Sequence, residues 1–288
     1  MESPATKSTG KPRPALFRAL GITDPPAVIQ VGERTFHRVE IYKHDSWAAT
    51  ALYQCGGEKI VCKFNRRQRV FLMPMGWLGR WLARRETRFY RTLDDLDCVP
   101  KCCAPIRVDG KIMAHAAGHA FVEGRPLKAD DRLPTRFFDD LRANLRKIHA
   151  RGIAYMDLHK RENIILGNDG RGHFVDFQVS FAVSPRSWLL PARWLLGMFQ
   201  DGDNYHLAKH ELRHSREGAA DREKLLDQTR PAWIRVHRFF AQPLRALRRR
   251  LLVALGIRKG DGRAQSEHFT EDGLRAEPVV HAEVGRAA

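Results

Sequence analysis

The order of periodic segments along the chain constrains its fold more than any other feature of the sequence. Residues 27–63 have the alternation and turn residues of several strands, and residues 77–93 have helical spacing. Residues 135–150 form a second amphipathic pattern, and a compact hairpin follows over residues 164–177. The sequence therefore predicts an α+β fold, in which strands and one main helix come first and a mostly helical region follows.

Length and composition are typical of a globular protein with a sizeable core. The chain has 288 residues, of which 43% are hydrophobic and 29% charged, and this excludes a disordered chain, a collagen and a disulfide mini-protein. It has no uncharged run that approaches the roughly 20 apolar residues of a membrane-spanning helix, and its N-terminus has no signal-peptide pattern. Five cysteines form an odd, sparse set, which predicts reduced thiols in a cytoplasmic protein.

Composition also predicts where the chain divides. Residues 1–26 are rich in Pro, Ser, Thr and Lys and predict a flexible N-terminal arm, and residues 258–288 predict a disordered tail. Residues 27–120 hold most of the predicted strands and the first helix, and residues 121–257 hold the mostly helical part. We therefore expect one large domain or two small lobes between two disordered ends.

The positive charge is concentrated in two segments. The net charge is +17. Residues 65–91 contain eight arginines and one acid, Glu86, and residues 230–259 contain nine basic residues and no acid. Such segments predict an anionic partner, which could be nucleic acid, phospholipid or a phosphorylated small molecule. Solvated helix faces are the alternative explanation for any single arginine.

Three residues in the second half of the chain have the chemistry of phosphoryl transfer. Asp157 lies on a predicted loop, Asn163 comes just before a predicted strand, and Asp176 follows the next strand. An aspartate on a loop can accept a proton from an attacking hydroxyl group. An amide and a second carboxylate can hold Mg²⁺, a hard cation that prefers oxygen ligands and bridging phosphates.

A lysine in an apolar strand adds a second charged grouping. Lys63 interrupts the predicted strand over residues 59–64, and a buried lysine is costly unless it is paired. Glu86 is the natural partner, because it is the only acid in the arginine-rich helix that follows. A lysine held in this way could contact the inner phosphates of a nucleotide.

In this order the residues resemble the protein-kinase-like superfamily, with a strand Lys63, a helix Glu86, a catalytic-loop Asp157 with Asn163, and Asp176 after the next strand. The resemblance covers roughly residues 27–240. It implies a bilobal fold, with a small β-rich N-lobe over residues 27–120 and a mostly helical C-lobe over residues 121–257. It also implies that the protein uses ATP and Mg²⁺.

The resemblance implies a role for each of these residues. Asp157 would deprotonate the acceptor hydroxyl, and Asn163 and Asp176 would hold Mg²⁺. Lys63, held by Glu86, would contact the inner phosphates of ATP. The segment Phe121, Val122 and Glu123 looks like the hinge between the lobes, next to which the adenine of ATP would lie.

The departures from the pattern point to a subgroup. Asp157-Leu158-His159 is similar to the loop of small-molecule kinases, and one extra residue before Asn163 leaves Glu162 as an alternative metal ligand. Residues 43–50 stand where a glycine-rich loop is expected, and Gln178 replaces the glycine two residues after Asp176. No Ala-Pro-Glu segment follows Asp176. Taken together, these departures make the chain look like a bacterial member of the RIO-type and lipopolysaccharide-core (Kdo/heptose) kinase group.

Three function classes follow from these observations. The first is a kinase that transfers the γ-phosphate of ATP to a protein Ser/Thr or to a lipopolysaccharide sugar. The second is a pseudokinase that binds an anionic membrane surface, and the third is nucleic-acid binding, which is disfavoured because no recognised motif is present. The Trp- and Arg-rich segments at residues 70–81 and 188–196 suit either a membrane interface or internal packing. We expect a cytoplasmic protein that is peripheral on the inner face of the cytoplasmic membrane.

Overall fold

The computed structural model describes residues 15–70, 73–214, 224–226, 228, 231, 233 and 253. They form two compact units. Unit 1 comprises the residues up to Asp95 together with Pro100–Phe121, and unit 2 comprises Leu96–Val99 together with the residues from Val122 onwards. The predicted tail over residues 258–288, residues 1–14 of the predicted arm and most of residues 215–257 lie outside the described residues. The mixed α+β class is confirmed, and the bilobal arrangement stays a prediction.

Unit 1 contains a seven-stranded antiparallel sheet. Its strands are β1 (Val28–Val31), β2 (Arg34–His44), β3 (Ala48–Cys55), β4 (Glu58–Asn65), β5 (Ile106–Val108), β6 (Lys111–Ile112) and β7 (Ala116–Ala120), in the spatial order β6-β5-β1-β2-β3-β4-β7. Alternation along β4 buries Ile60, Cys62 and Phe64 in the core and turns Lys63 to the opposite face. The described part of the predicted arm also packs on this unit, where Ala19 is fully buried.

The helix of unit 1 begins one residue earlier than predicted. Helix α1 (Gly76–Thr92) buries a narrow stripe that includes Gly79, Ala83 and Glu86. Gly79 is required by a close approach, because a Cβ at this position would lie 2.3 Å from the carbonyl oxygen of Arg66. An antiparallel sheet with one main helix is consistent with the predicted kinase-like N-lobe.

Strand β7 was not predicted at residues 116–120. Its sequence is Ala-Ala-Gly-His-Ala, and small residues have low strand propensity. Packing selects them here, since a Cβ at Gly118 would lie 2.8 Å from the carbonyl oxygen of Cys103 and 3.2 Å from Sγ of Cys62. The pairing of β4 with β7 places Ala117 opposite Lys63, so this strand borders the candidate site.

Over residues 122–214, unit 2 combines two α-helices with two small sheets. The helices are α2 (Phe137–Ala150) and α3 (Leu190–His214), and the strands are β8 (Gly124–Pro126), β9 (Ile153–Ala154), β10 (Ile164–Gly167), β11 (Gly172–Phe174) and β12 (Phe181–Ala182). The predicted hairpin is β10–β11, to which β8 adds a third strand, while β9 pairs with β12. In the described part of the chain, none of the helices has both the length and the apolar character that a bilayer crossing requires.

Low pH should destabilise unit 1 because of the buried His115. Burial lowers the pKa of this imidazole to about 4, and Arg67 and Arg80 add to the effect. The unfolded chain, with a histidine pKa near 6.5, therefore takes up this proton first as the pH falls, and stability is lost from about pH 6.5 down to about pH 4. The loss from this group alone is about 3 kcal/mol.

The measurement is urea unfolding as a function of pH. In His115→Phe, the slope of the free energy of unfolding against pH below about pH 6.5 should fall by the equivalent of about one proton. His37→Phe, at an exposed position on β2, should leave this slope unchanged. An unchanged slope in His115→Phe would show that this imidazole is not the titrating group.

Candidate functional site

Unit 1 contributes the ion pair that the sequence predicts. The Nζ of Lys63 lies 3.3 Å from Oε1 of Glu86, and their side chains are 14% and 3% exposed. Strand β4 presents the lysine and helix α1 presents the glutamate. A carboxylate as deeply buried as Glu86 is stable only with a compensating positive charge, so Lys63 and Glu86 hold each other in place.

The turn between β2 and β3 lies where the resemblance predicts a glycine-rich loop. In this turn the side chain of an aspartate accepts hydrogen bonds from backbone N–H groups. Oδ1 of Asp45 accepts hydrogen bonds from the backbone N–H groups of Trp47 (2.8 Å) and Ala48 (3.0 Å), and Lys43 lies 2.8 Å from Oδ2. Burial raises the pKa of Asp45, but Lys43 and the two N–H groups outweigh it and lower the pKa overall. These two N–H groups are therefore directed at a carboxylate of the protein itself.

Unit 2 brings three side chains to the carboxylate of Asp157, which is 4% exposed. Its Oδ2 accepts from Nδ2 of Asn163 and from Nζ of Lys160, both at 2.8 Å. Its Oδ1 lies 3.3 Å from Nδ1 of His159. Of the two alternatives for the metal ligand, Asn163 is buried against Asp157, while Glu162 is exposed on a short 3₁₀ turn.

Lys160 was not identified from the sequence as a site residue. Burial lowers the pKa of Lys160, but the negative charge of Asp157, with smaller contributions from Asp176 and Glu162, raises it above the usual value. Lys160 therefore stays protonated near neutral pH. The pattern that could have revealed it is its position three residues after Asp157, across the turn at residues 158–159.

Two residues of the candidate site, one before Asp157 and the other Asp176 itself, have left-handed backbone conformations. Met156, directly before Asp157, has φ of 66°, and Asp176 has φ of 63°. The third non-glycine residue with positive φ among those described is Asp109, which lies in the β5–β6 turn. A left-handed conformation is costly for a side chain such as methionine and persists only where surrounding contacts impose it, which is common at functional sites.

Helix α3 supplies the contacts that hold the Asp157 loop. Oδ2 and Oδ1 of Asp203 accept from the backbone N–H groups of Tyr155 and Met156, each at 2.7 Å, and Nε2 of His149 lies 3.0 Å from Oδ2. Two turns further along α3, His210 contacts the carbonyl oxygen of Leu158 at 2.6 Å. Burial lowers the pKa of His210 to about 3, so its ring is neutral and donates this hydrogen bond.

The position of Asp203 corrects an interpretation of the sequence. Residues 201–206 predict the start of a helix after a loop, with acids at its N-terminal end. They lie instead in the middle of α3, which begins at Leu190. Asp203 is buried there because it accepts backbone hydrogen bonds from a segment almost 50 residues earlier in the chain, a contact that local sequence does not reveal.

The predicted hinge residues fall at the division between the units. Phe121 ends unit 1, where its N–H donates to the carbonyl oxygen of Lys59 and its ring lies 5.4 Å from Nζ of Lys59. Val122 and Glu123 begin the second segment of unit 2, and the carbonyl oxygen of Glu123 accepts from the N–H of Asn168.

The side-chain oxygens near Asp157 suit a metal ion that takes most of its ligands from molecules other than the protein. In the described residues, no group of three or more His, Cys, Asp or Glu side chains could hold a metal ion. Nδ2 of Asn163 donates to Asp157, so the side-chain oxygen of Asn163 is the atom that could bind a metal ion. Asp176 could supply carboxylate oxygens. Mg²⁺ is commonly held by one or two such groups together with the phosphates of a substrate.

Comparisons with known proteins do not assign the chain to a family. No protein-family model matches the sequence, and no curated protein matches it. Among solved structures, the chain is similar to the crystal structure of the Rio2 kinase from Chaetomium thermophilum, with 18% identity and a TM-score of 0.44 over 63% of this chain. The match covers 56% of that chain, so this protein spans little more than half of it. The function proposed below rests on the residues of this chain.

Proposed function

We propose that this protein is a phosphotransferase that uses ATP and Mg²⁺ to phosphorylate a hydroxyl group. The observation that carries the proposal is the Asp157 carboxylate, which is nearly buried, accepts hydrogen bonds from an amide and an ammonium group, and follows a strained residue. A carboxylate fixed in this way suits the orientation and deprotonation of an acceptor hydroxyl.

The other site residues of unit 2 would neutralise negative charge on the phosphates. Lys160 stays protonated because of Asp157, and its ammonium can neutralise negative charge that develops on the transferring phosphoryl group. The carbonyl oxygen of Asn163 and the carboxylate of Asp176 would hold Mg²⁺. When bound, this ion would neutralise charge on the phosphates of ATP.

Lys63 and the predicted hinge residues would bind the nucleotide. Lys63, held by the buried Glu86, would contact the inner phosphates of ATP, and Phe121, Val122 and Glu123 would contact its adenine. We propose a protein Ser/Thr or a lipopolysaccharide sugar as the acceptor, by resemblance to the bacterial RIO-type and lipopolysaccharide-core kinases. The proposed location is the cytoplasm, on the inner face of the cytoplasmic membrane.

One observation favours a second candidate, a pseudokinase that binds an anionic membrane surface without turnover. Asp45 engages the N–H groups of Trp47 and Ala48 in the turn where a kinase would be expected to cradle phosphates. A carboxylate at this point would repel the phosphates of ATP. Transfer of labelled phosphate to cell-envelope lipids or total protein, with and without Mg²⁺, separates the two, and no transfer to any acceptor would contradict the enzyme.

The ion pair of unit 1 allows binding and stability to be tested separately. Lys63→Met removes the positive charge that lies 3.3 Å from the buried Glu86 carboxylate and should destabilise the protein by about 3–5 kcal/mol. The double variant Lys63→Met/Glu86→Gln removes both charges and should recover most of this stability, but its KM for ATP should stay raised by about tenfold, as expected when one charge-assisted contact is lost. Urea unfolding and steady-state kinetics give the two readouts.

If the double variant recovers normal ATP kinetics together with stability, Lys63 is a structural residue. Lys111→Met, at an exposed position on β6 of the same unit, is the matched control. Lys111 is outside the Lys63–Glu86 pair, and its variant should keep the phosphate contacts.

A further inference from the structure

The outward face of helix α1 carries two tryptophans and four arginines on a single narrow stripe. Successive residues of an α-helix are rotated by about 100°, so a stripe can be read from the sequence numbers. Apart from Thr92 at the end of the helix, the exposed residues fall within an arc of about 100°, and they are Trp77, Arg80, Trp81, Arg84, Arg88 and Arg91. We call this set the α1 stripe.

The only acid of the helix lies on the opposite side. Glu86 is about 180° from Trp77 around the helix axis, and it is buried against Lys63. The helix also has no acid in its first turn, where its dipole would favour one. Negative charge is therefore missing from every outward position of α1.

This arrangement is unfavourable for the isolated protein. Arg80, Arg84 and Arg88 follow one another at intervals of four residues, and like charges at this spacing repel each other. Burial lowers the pKa of the neighbouring Arg85, and the charge of Arg88 lowers it further. A partner that supplies negative charge along the whole stripe would remove this repulsion.

The stripe cannot turn inward to avoid solvent. The buried side of α1 packs so closely that a Cβ at Gly79 would collide with the backbone of Arg66. Trp77 and Trp81 thus stay 60% and 50% exposed, and the guanidinium of Arg85 stacks on the ring of Trp81 at 5.0 Å. Two large, half-exposed aromatic rings beside four arginines suit a partner surface that is both apolar and anionic.

We propose that the α1 stripe docks on the surface of a bilayer that contains anionic phospholipid. The indoles of Trp77 and Trp81 would lie at the level of the headgroups, which tryptophan prefers, and the arginines would contact lipid phosphates. Met73, three residues before the helix, is exposed as well. The α1 stripe lies on the outer surface of a single helix. Proteins that bind single-stranded nucleic acid instead use a groove in which bases stack on aromatic side chains. This docking does not depend on phosphoryl transfer.

The test is sedimentation of the full chain with vesicles. Wild type should bind phosphatidylcholine vesicles that contain about one third phosphatidylglycerol and should not bind pure phosphatidylcholine. Each basic side chain at an anionic membrane strengthens binding about fivefold, so R80Q/R84Q/R88Q should bind about 100-fold more weakly. W77S/W81S should bind more weakly and lose the blue shift of tryptophan emission that vesicles cause in wild type.

The matched control is R136Q/R146Q/R171Q, which removes three exposed arginines of unit 2 and thus the same total charge. It should bind nearly as wild type does. Thermal unfolding checks that all variants are folded, and if the α1 triple variant is not, the single variants R80Q, R84Q and R88Q should each lose about fivefold.

Three results would overturn the proposal. The first is equal loss of binding in the two triple variants, which would mean that only total charge matters. The second is equal binding of wild type to neutral and anionic vesicles. The third is preferential binding of wild type to RNA or DNA that the α1 substitutions abolish.

Discussion

Asp157→Asn is expected to lower kcat for phosphoryl transfer about 1,000-fold, within the range that loss of general base catalysis produces. The side chain keeps its size, but its amide group cannot accept a proton from the acceptor hydroxyl. One terminal atom would also become a donor facing Lys160 and Asn163, which both donate to Oδ2 in wild type. The KM for ATP should change little, because Asp157 would act on the acceptor. Steady-state kinetics with labelled ATP measure both constants.

The control for this substitution is Asp169→Asn. Asp169 lies in the β10–β11 turn and is largely exposed, so its variant should keep wild-type kcat. A transfer rate in Asp157→Asn within tenfold of wild type would exclude the proposed role of Asp157. The same loss of activity in both variants would show instead that the assay reports general damage to unit 2.

The parts of the site that were predictable from sequence are those with strong local constraints. Lys63 stands out because a lysine in an apolar strand needs a partner, and Glu86 is the one acid in an arginine-rich helix. The main strands and the first two helices have clear periodicity, and their bounds differ from the prediction by only a few residues. In each case a short segment contains both the pattern and its physical cause.

The parts that were missed depend on contacts between distant segments. The small residues of β7 are selected by the close approach of Cys62 and Cys103, which no propensity scale includes. The turn at Asp45 reads as a departure from a glycine-rich loop, but the sequence does not show that its carboxylate engages two backbone N–H groups. Asp203 has the local sequence of a helix start, and only the folded chain brings it to Tyr155 and Met156.

A large effect on stability is expected from substitution of Asp203. Asp203→Ala removes the acceptor of two backbone hydrogen bonds at 2.7 Å and the partner of His149. The N–H of Tyr155 would then lose this acceptor at a fully buried position. Loss of one partner from a buried charged network costs about 3–5 kcal/mol, which corresponds to a fall in Tm of roughly 10 °C for a protein of this size.

Asp201→Ala provides the control for Asp203, because Asp201 lies two residues earlier on the same helix and is exposed. It should change the free energy of unfolding by less than about 0.5 kcal/mol. Asp203→Asn keeps one oxygen that can accept a hydrogen bond, so it should fold well enough for kinetics and show a lower kcat with an unchanged KM for ATP. Because Asp203 would act only by positioning the Asp157 loop, the double variant Asp157→Asn/Asp203→Asn should be no slower than Asp157→Asn alone. Fully additive losses in that double variant would mean that the two carboxylates act independently and that α3 does not position the loop.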